Sequence, residues 1–319
     1  MDIFMKLYTF SLIFLLISCT NKKNSEYKLQ DWPQSSNEMS MGQVTGVDIT
    51  SENQVVVFHR ANRIWTDPMP AQNILLATIF VYDAISGDLI KYWGENEFIM
   101  PHGLSVDKED NIWVTDVGAH QIKKFSGNGE LLLSIGKRGV SGNDEITFDR
   151  PTDIGFDKSG NFYVSDGYIN SRIVKYSKDG VYLKEWGTKG EKPGEFDLPH
   201  GITIDNNDNI FVADRSNSRI QVFDINGIFL YEISGKEFGR PYGSFAIGSK
   251  LFIIDGGDQP SNTCSRVVIF DLLNQNYIGE FDASISLDNK NLGHDIVASN
   301  DNMIFVADAW SNTIRKFKL

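Results

Sequence analysis

Cysteine is nearly absent from this chain: Cys19 and Cys264 are the only two in 319 residues. That is too few for the disulfide framework with which small extracellular domains replace a core. Basic charge is also short, with 30 Lys and Arg against 42 Asp and Glu and a formal net charge of −12. A surface this acidic repels a phosphate backbone, which excludes nucleic acid as a partner. No stretch carries the period of an amphipathic helix. The one long apolar run, near the N-terminus, is too short to span a bilayer as a helix. What is abundant is apolar material, 41% of residues with 23% charged, enough for one large all-β domain or two ordinary ones.

Residues 1–19, MDIFMKLYTFSLIFLLISC, place a lysine before the apolar run and end in Leu16-Ile17-Ser18-Cys19. This is the pattern of a secretory signal whose end resembles a bacterial lipobox. Cys19 is then expected to be the acylated first residue of an exported protein, anchored in a bilayer on the periplasmic or cell-surface side. An ordinary cleaved signal with an incidental cysteine is the alternative. Acylation of Cys19 would leave Cys264 as a lone thiol and no intramolecular disulfide. Residues 20–40 are mostly polar and read as a tether.

From residue 41 onward one pattern recurs. Four copies are HGLSVDKEDNIWVTD (102–116), TDIGFDKSGNFYVSD (152–166), HGITIDNNDNIFVAD (200–214) and HDIVASNDNMIFVAD (294–308). Degenerate copies occupy 45–59 and 243–255, and most copies run on into a third and fourth alternating segment. Four short strands per unit, repeated six times, predict an all-β six-bladed propeller over 41–319. The last copy stops after three strands, and Tyr27-Lys28-Leu29-Gln30-Asp31-Trp32 echoes Tyr182-Leu183-Lys184-Glu185-Trp186. The N-terminal segment 27–32 is therefore expected to supply the missing outer strand and close the ring.

In antiparallel pairs the start of the first strand and the end of the second share one end of a blade. The start positions read Thr45, His102, Thr152, His200, Gly243 and His294. Histidines thus sit in blades two, four and six, about 120° apart, and converge on the axis. Three neutral imidazoles with one open position form the ligand set of a catalytic zinc, and other divalent transition metals fit too. Three turn histidines capping strands would give the same pattern without an ion. The second set of positions offers Arg60 and Arg215, forks suited to a carboxylate. It also offers Tyr168, whose phenol is expected to have a lowered pKa beside a dication and two guanidiniums and to serve as a base. His120 reads as a turn residue, and His59 stands in the slot of Asp116, Asp166, Asp214, Asp255 and Asp308, which are expected to bind turn amides.

At these residues the chain resembles a known family. Phe58-His59-Arg60, Pro101-His102-Gly103-Leu104-Ser105, Arg150-Pro151-Thr152-Asp153, Ser165-Asp166-Gly167-Tyr168, Val212-Ala213-Asp214-Arg215 and His294-Asp295-Ile296 are similar, in order, to peptidyl-α-hydroxyglycine α-amidating lyases. Those are six-bladed propellers of NHL-type repeats. The resemblance implies a zinc-dependent lyase that cleaves the N–Cα bond of a C-terminal α-hydroxyglycine, giving an amide and glyoxylate. It places zinc on His102, His200 and His294, makes Tyr168 the base, and has Arg60 and Arg215 orient and neutralise the substrate carboxylate or assist the tyrosine. A structural calcium would be held by the Asp295 carboxylate and the main-chain oxygens of Val47 and Leu104. A monomer is expected.

The chain departs from the animal enzymes of that family in several places. Asp149 with Ile169, and Phe211 with Val222, stand where paired cysteines are found there. Gly293 replaces a proline and Leu292 a methionine beside the last zinc histidine. No copper monooxygenase domain accompanies the repeats, so an N-acyl or ureido α-hydroxy acid is a further expected substrate. A propeller lactonase would gather Glu, Asn and Asp around calcium instead. A non-catalytic NHL module would bind a peptide or glycan.

Overall fold

The computed structural model describes residues 26–33, 41–235, 238–259, 264–284 and 291–319. The signal and most of the tether lie outside them. Six four-stranded antiparallel sheets and one short parallel pair, Thr188–Lys189 with Glu195–Phe196, hold the strands of the described residues, and no α-helix occurs among them. Their innermost strands are Val44–Ile49, Pro101–Val106, Asp153–Phe156, Pro199–Ile204, Pro241–Ile247 and Gly293–Ala298. Each of these contacts the innermost strand of the next blade, and the last contacts the first. This is the six-bladed propeller expected from the repeats.

The alternation of side chains explains the burial. Second and third strands such as Ile112–Asp116 and Arg172–Tyr176 are covered on both faces by neighbouring blades, and their residues are buried throughout. Outer strands such as Leu89–Trp93 and Tyr182–Trp186 alternate between half-buried and exposed, because only one face meets the next blade. The core therefore divides into clusters lying between blades. One of them joins Val56, Phe58 and Val81 of blade one to Leu104 and Val114 of blade two.

The sixth blade is completed by Lys28–Leu29, which pairs antiparallel with Thr313–Lys318 in the register Lys28↔Lys318 and Leu29↔Phe317. The echo in the sequence spans six residues, yet only two of them form the ladder. The others close the ring by side chains. Trp32 is buried against Tyr82 of blade one and Phe305 of blade six, and its indole donates to the Asp83 carbonyl at 3.1 Å. Tyr27 stacks on Phe281 of blade five at 4.9 Å.

The aspartates ending the second strands bind turn amides, as expected. Asp116 accepts from the main-chain N–H groups of Ile99, Met100, Gly118 and Ala119. Asp166, Asp214 and Asp255 also take the Nε of Arg172, Arg219 and Arg266 at 3.0, 2.8 and 3.1 Å, and Asp308 pairs with Arg315. Saturated in this way, they are unavailable for chemistry. His59 fills the same slot with the same chemistry: its Nδ1 accepts from Ala61 N–H at 3.0 Å.

Two expectations are corrected. Cys264 is disulfide-bonded and not a lone thiol. Cys19, the only other cysteine, lies outside the described residues. The start position of blade five is Tyr242, not Gly243. Pro241 pairs with Asp255 as Pro101 pairs with Asp116 and Pro199 with Asp214, so the next residue, Tyr242, takes the place of His102 and His200. The ladders shift register just after these prolines, but the first hairpin of blade five is tighter, and a shorter copy defeats alignment by residue count.

Candidate metal centre

His102, His200 and His294 follow Pro101, Pro199 and Gly293 at the axial ends of their strands, and all three are buried. Their ring centroids lie 4.7–4.8 Å apart, and one ring nitrogen of each falls within 4.8 Å of the others. The remaining nitrogen is held in the same way three times. Nδ1 of His102 donates to the Thr152 carbonyl at 2.7 Å, that of His200 to Tyr242 at 2.6 Å, and that of His294 to Thr45 at 2.7 Å. Each acceptor is the residue at the corresponding position of the next blade. A carbonyl can only accept, so Nδ1 carries the proton and Nε2 is left with its lone pair. Nε2 of His200 is buried and has no partner among the described residues.

Electrostatics keep all three rings neutral. Burial pushes the His102 imidazolium down to about 3, with the Arg60 charge adding to it. His200 and His294 are lowered as well, first by burial and then by the neighbouring histidines and arginines. Three neutral, preoriented nitrogens aimed at one point fit a borderline dication.

The residues following the second strands arrive at the same mouth. Tyr168 places its hydroxyl 3.0 Å from Nε2 of His102, and its ring packs on Trp65 at 4.9 Å. Arg60 is buried, donating from Nε to the Pro101 carbonyl at 2.9 Å and from Nη1 to Gln43 at 2.8 Å, with its guanidinium 5.2 Å from the Trp65 ring. Burial lowers Arg60 to about 10. Arg215 lies 4.0 Å over the Tyr242 ring, which in turn is 4.8 Å from His200. Among the chain's own groups, burial raises the Tyr168 pKa and outweighs the pull of Arg215 and Arg60. That cost is not legible along the chain, because burial at the mouth is a tertiary property.

Beneath the mouth, a cavity of about 160 Å³ is lined by Val47, Leu104 and Asp295 and also by Asp48 and Asp153. Asp295 accepts from Val47 N–H at 2.9 Å and Asp48 from Val106 N–H at 2.7 Å. Burial pushes the Asp48 carboxyl up to about 7 and raises Asp153 and Asp295; the Asp48 charge raises Asp153 further, and both raise Asp295. Half-buried carboxylates gathered in one cavity with no cationic side chain fit a hard cation. Asp48 and Asp153 escaped the sequence reading, as did Trp65, Tyr242 and Asp258. Only Tyr242 left a signal, Pro241-Tyr242-Gly243 beside the two Pro-His-Gly strings.

Fold and site together define a class: a six-bladed propeller with a three-histidine cap at one mouth of its axis. The NHL repeat family model matches residues 98–125 and 196–223. The chain carries these repeats and is homologous to peptidyl-α-hydroxyglycine α-amidating lyases. It is 34% identical to lyase 1 of Drosophila melanogaster over 263 residues, 74% of this chain and 48% of that protein. It is 35% identical to lyase 2 of the same fly over 72% of this chain and 60% of that protein. Against peptidyl-glycine alpha-amidating monooxygenase A of Xenopus laevis the identity is 35% over 90% of this chain but 32% of that protein. The chain thus spans about a third of the monooxygenase and about half of the fly lyases. A virginiamycin B lyase from Staphylococcus aureus shares the fold, with a TM-score of 0.63 at 14% identity over 92% of this chain and all of that one.

Proposed function

We propose that the chain is a zinc-dependent lyase that cleaves the N–Cα bond of an α-hydroxyglycine-type carbinolamide, giving an amide and glyoxylate. The observation that carries the proposal is the threefold Nδ1-to-carbonyl anchoring, which leaves three Nε2 lone pairs at one point. Homology to proteins named as amidating lyases supports the reaction class.

In this reading His102, His200 and His294 hold the zinc, which supplies Lewis acidity toward a substrate hydroxyl. Nε2 of His102 cannot both ligate and accept from Tyr168. With that nitrogen on a metal, Tyr168 would lose its partner; ionised beside the dication and the Arg60 and Arg215 charges, the phenolate would take the hydroxyl proton and return it to the departing amide nitrogen. The electron pair of that O–H bond becomes the aldehyde C=O, the N–Cα bond breaks, and the departing amide nitrogen takes up a proton. Arg60 and Arg215 bind the substrate carboxylate, and the buried mouth excludes water. Asp295 with the Val47 and Leu104 carbonyls holds a calcium, joined in the same cavity by Asp48 and Asp153. Export and lipid anchoring through Cys19 complete the proposal and rest on the sequence of residues 1–19, the anchor applying to a chain in which Cys264 is not bonded to Cys19.

Metal analysis of the purified chain, with glyoxylate release from α-hydroxyhippurate, tests the reading. One zinc per chain and glyoxylate production are expected. His200→Ala should lose the zinc, whereas Tyr168→Phe should keep it and lose about 10²- to 10⁴-fold in kcat. Stoichiometric zinc without glyoxylate would discard the reaction and keep the metal centre.

A further inference from the structure

At the channel mouth one carboxylate serves three partners. Oδ2 of Asp258 accepts from Arg215 Nη2 at 2.8 Å, from the Tyr242 hydroxyl at 2.8 Å and from Arg240 Nη1 at 3.3 Å. Asp258 and Arg215 are both largely buried, with side chains 11% and 16% exposed. Burial would raise Asp258, but the hydrogen bonds from Arg215 and Tyr242 win and hold it below the usual carboxylate range, so it stays ionised. Burial would likewise discharge Arg215, but Tyr242, Tyr168 and Asp258 keep it fully charged.

The cluster has unused capacity. Nε of Arg215 and Oδ1 of Asp258 are buried with no partner among the described residues. An unmet buried donor or acceptor is costly, and such groups persist where a ligand completes them. The cluster is also tied to the metal centre. Tyr242, whose hydroxyl binds Asp258, takes the proton of His200 Nδ1 on its carbonyl at 2.6 Å. One residue thus joins the arginine to a candidate ligand.

We propose that Asp258 is a positioning residue, which clamps Arg215 against the Tyr242 ring so that its guanidinium meets the carboxylate of the substrate. The proposal rests on the lyase reading for the identity of that substrate. Removing Asp258 has two opposed effects: it strips a negative charge from the mouth, which favours an anion, and it releases the guanidinium from a fixed direction. Because Arg215 is buried and its fork must meet a carboxylate in plane, orientation dominates.

The test compares Asp258→Ala and Asp258→Glu with the zinc-loaded full-length chain, using α-hydroxyhippurate and its uncharged methyl ester. Direct binding of hippurate is measured alongside. Asp258→Ala should raise KM for the acid about 10- to 100-fold, the range of a hydrogen bond to a charged group. It should leave KM for the ester, kcat and zinc content within about threefold. Asp258→Glu should recover part of the loss. Equal shifts for acid and ester, or no shift, would overturn the proposal. Should the wild-type chain release no glyoxylate yet bind hippurate, and Asp258→Ala lose that binding, the lyase reading fails and the positioning role stands. Absence of both glyoxylate and hippurate binding in the wild type overturns both.

Discussion

His102 and His59 show how far residue type alone misleads. Both are buried imidazoles, yet His102 offers a converging Nε2 while His59 spends its Nδ1 on a turn amide. Burial alone pushes His59 down to about 3. Its folded pKa lies below its unfolded value, so the unfolded chain binds more protons and stability falls as pH drops through 6.5 toward 3. His59→Asn keeps an acceptor for Ala61 N–H and removes that slope. Chemical denaturation at pH 7 and pH 5 should show a smaller loss for the variant, by up to about 1.4 kcal/mol per pH unit. Equal losses would mean that His59 is protonated in the folded chain. The slot itself was legible, because aspartate fills it in the other five copies.

At the scale of elements, the six strand quartets and their turns were readable from alternation and repeat spacing. The register of the innermost strands was not. Tyr242 was misplaced by one residue because the first hairpin of blade five is tighter, pairing Ile247 with Lys250 where blade two pairs Val106 with Ile112, so that copy is shorter and does not align by residue count. Closure was readable only as an echo. Its physical weight rests on Trp32, which bridges Phe305 and Tyr82 across the first and last blades. Trp32→Ala should cost about 3–5 kcal/mol, measured by denaturant unfolding. Leu29→Ala, at a half-exposed position of the two-residue ladder, should cost far less. Equal costs would place closure in the ladder and not in the indole.

At the scale of the whole molecule, three half-buried acids from three blades share one cavity with no cationic side chain lining it. If calcium sits there, chelation lowers the melting temperature and added calcium restores it, by about 2.7 kcal/mol of stability at a hundredfold excess over Kd. Asp295→Asn should abolish the response, and a calcium-insensitive wild type would remove the ion from the scheme. The two cysteines allow a second whole-chain prediction. A sulfur in a disulfide carries no thioether, so lipid on Cys19 requires a chain in which Cys264 is not bonded to it. The disulfide of Cys264 predicts a thiol that alkylates only after reduction, whereas the anchor predicts acyl chains on the N-terminal peptide of membrane-extracted protein and a freely alkylating Cys264. An unmodified Cys19 with Cys264 blocked would overturn the anchor.

The sequence by itself determined the architecture and the identity of the three histidines, because both follow from local periodicity and from which copies carry His. It could not reveal which nitrogen each ring turns inward, since that is set by a carbonyl of the following blade. Nor could it reveal that burial would raise Tyr168, that Asp48 and Asp153 would meet Asp295, or that Asp258 would grip Arg215 from 43 residues away. Those facts depend on groups distant along the chain entering one low-dielectric space, and only closure of the ring brings them together.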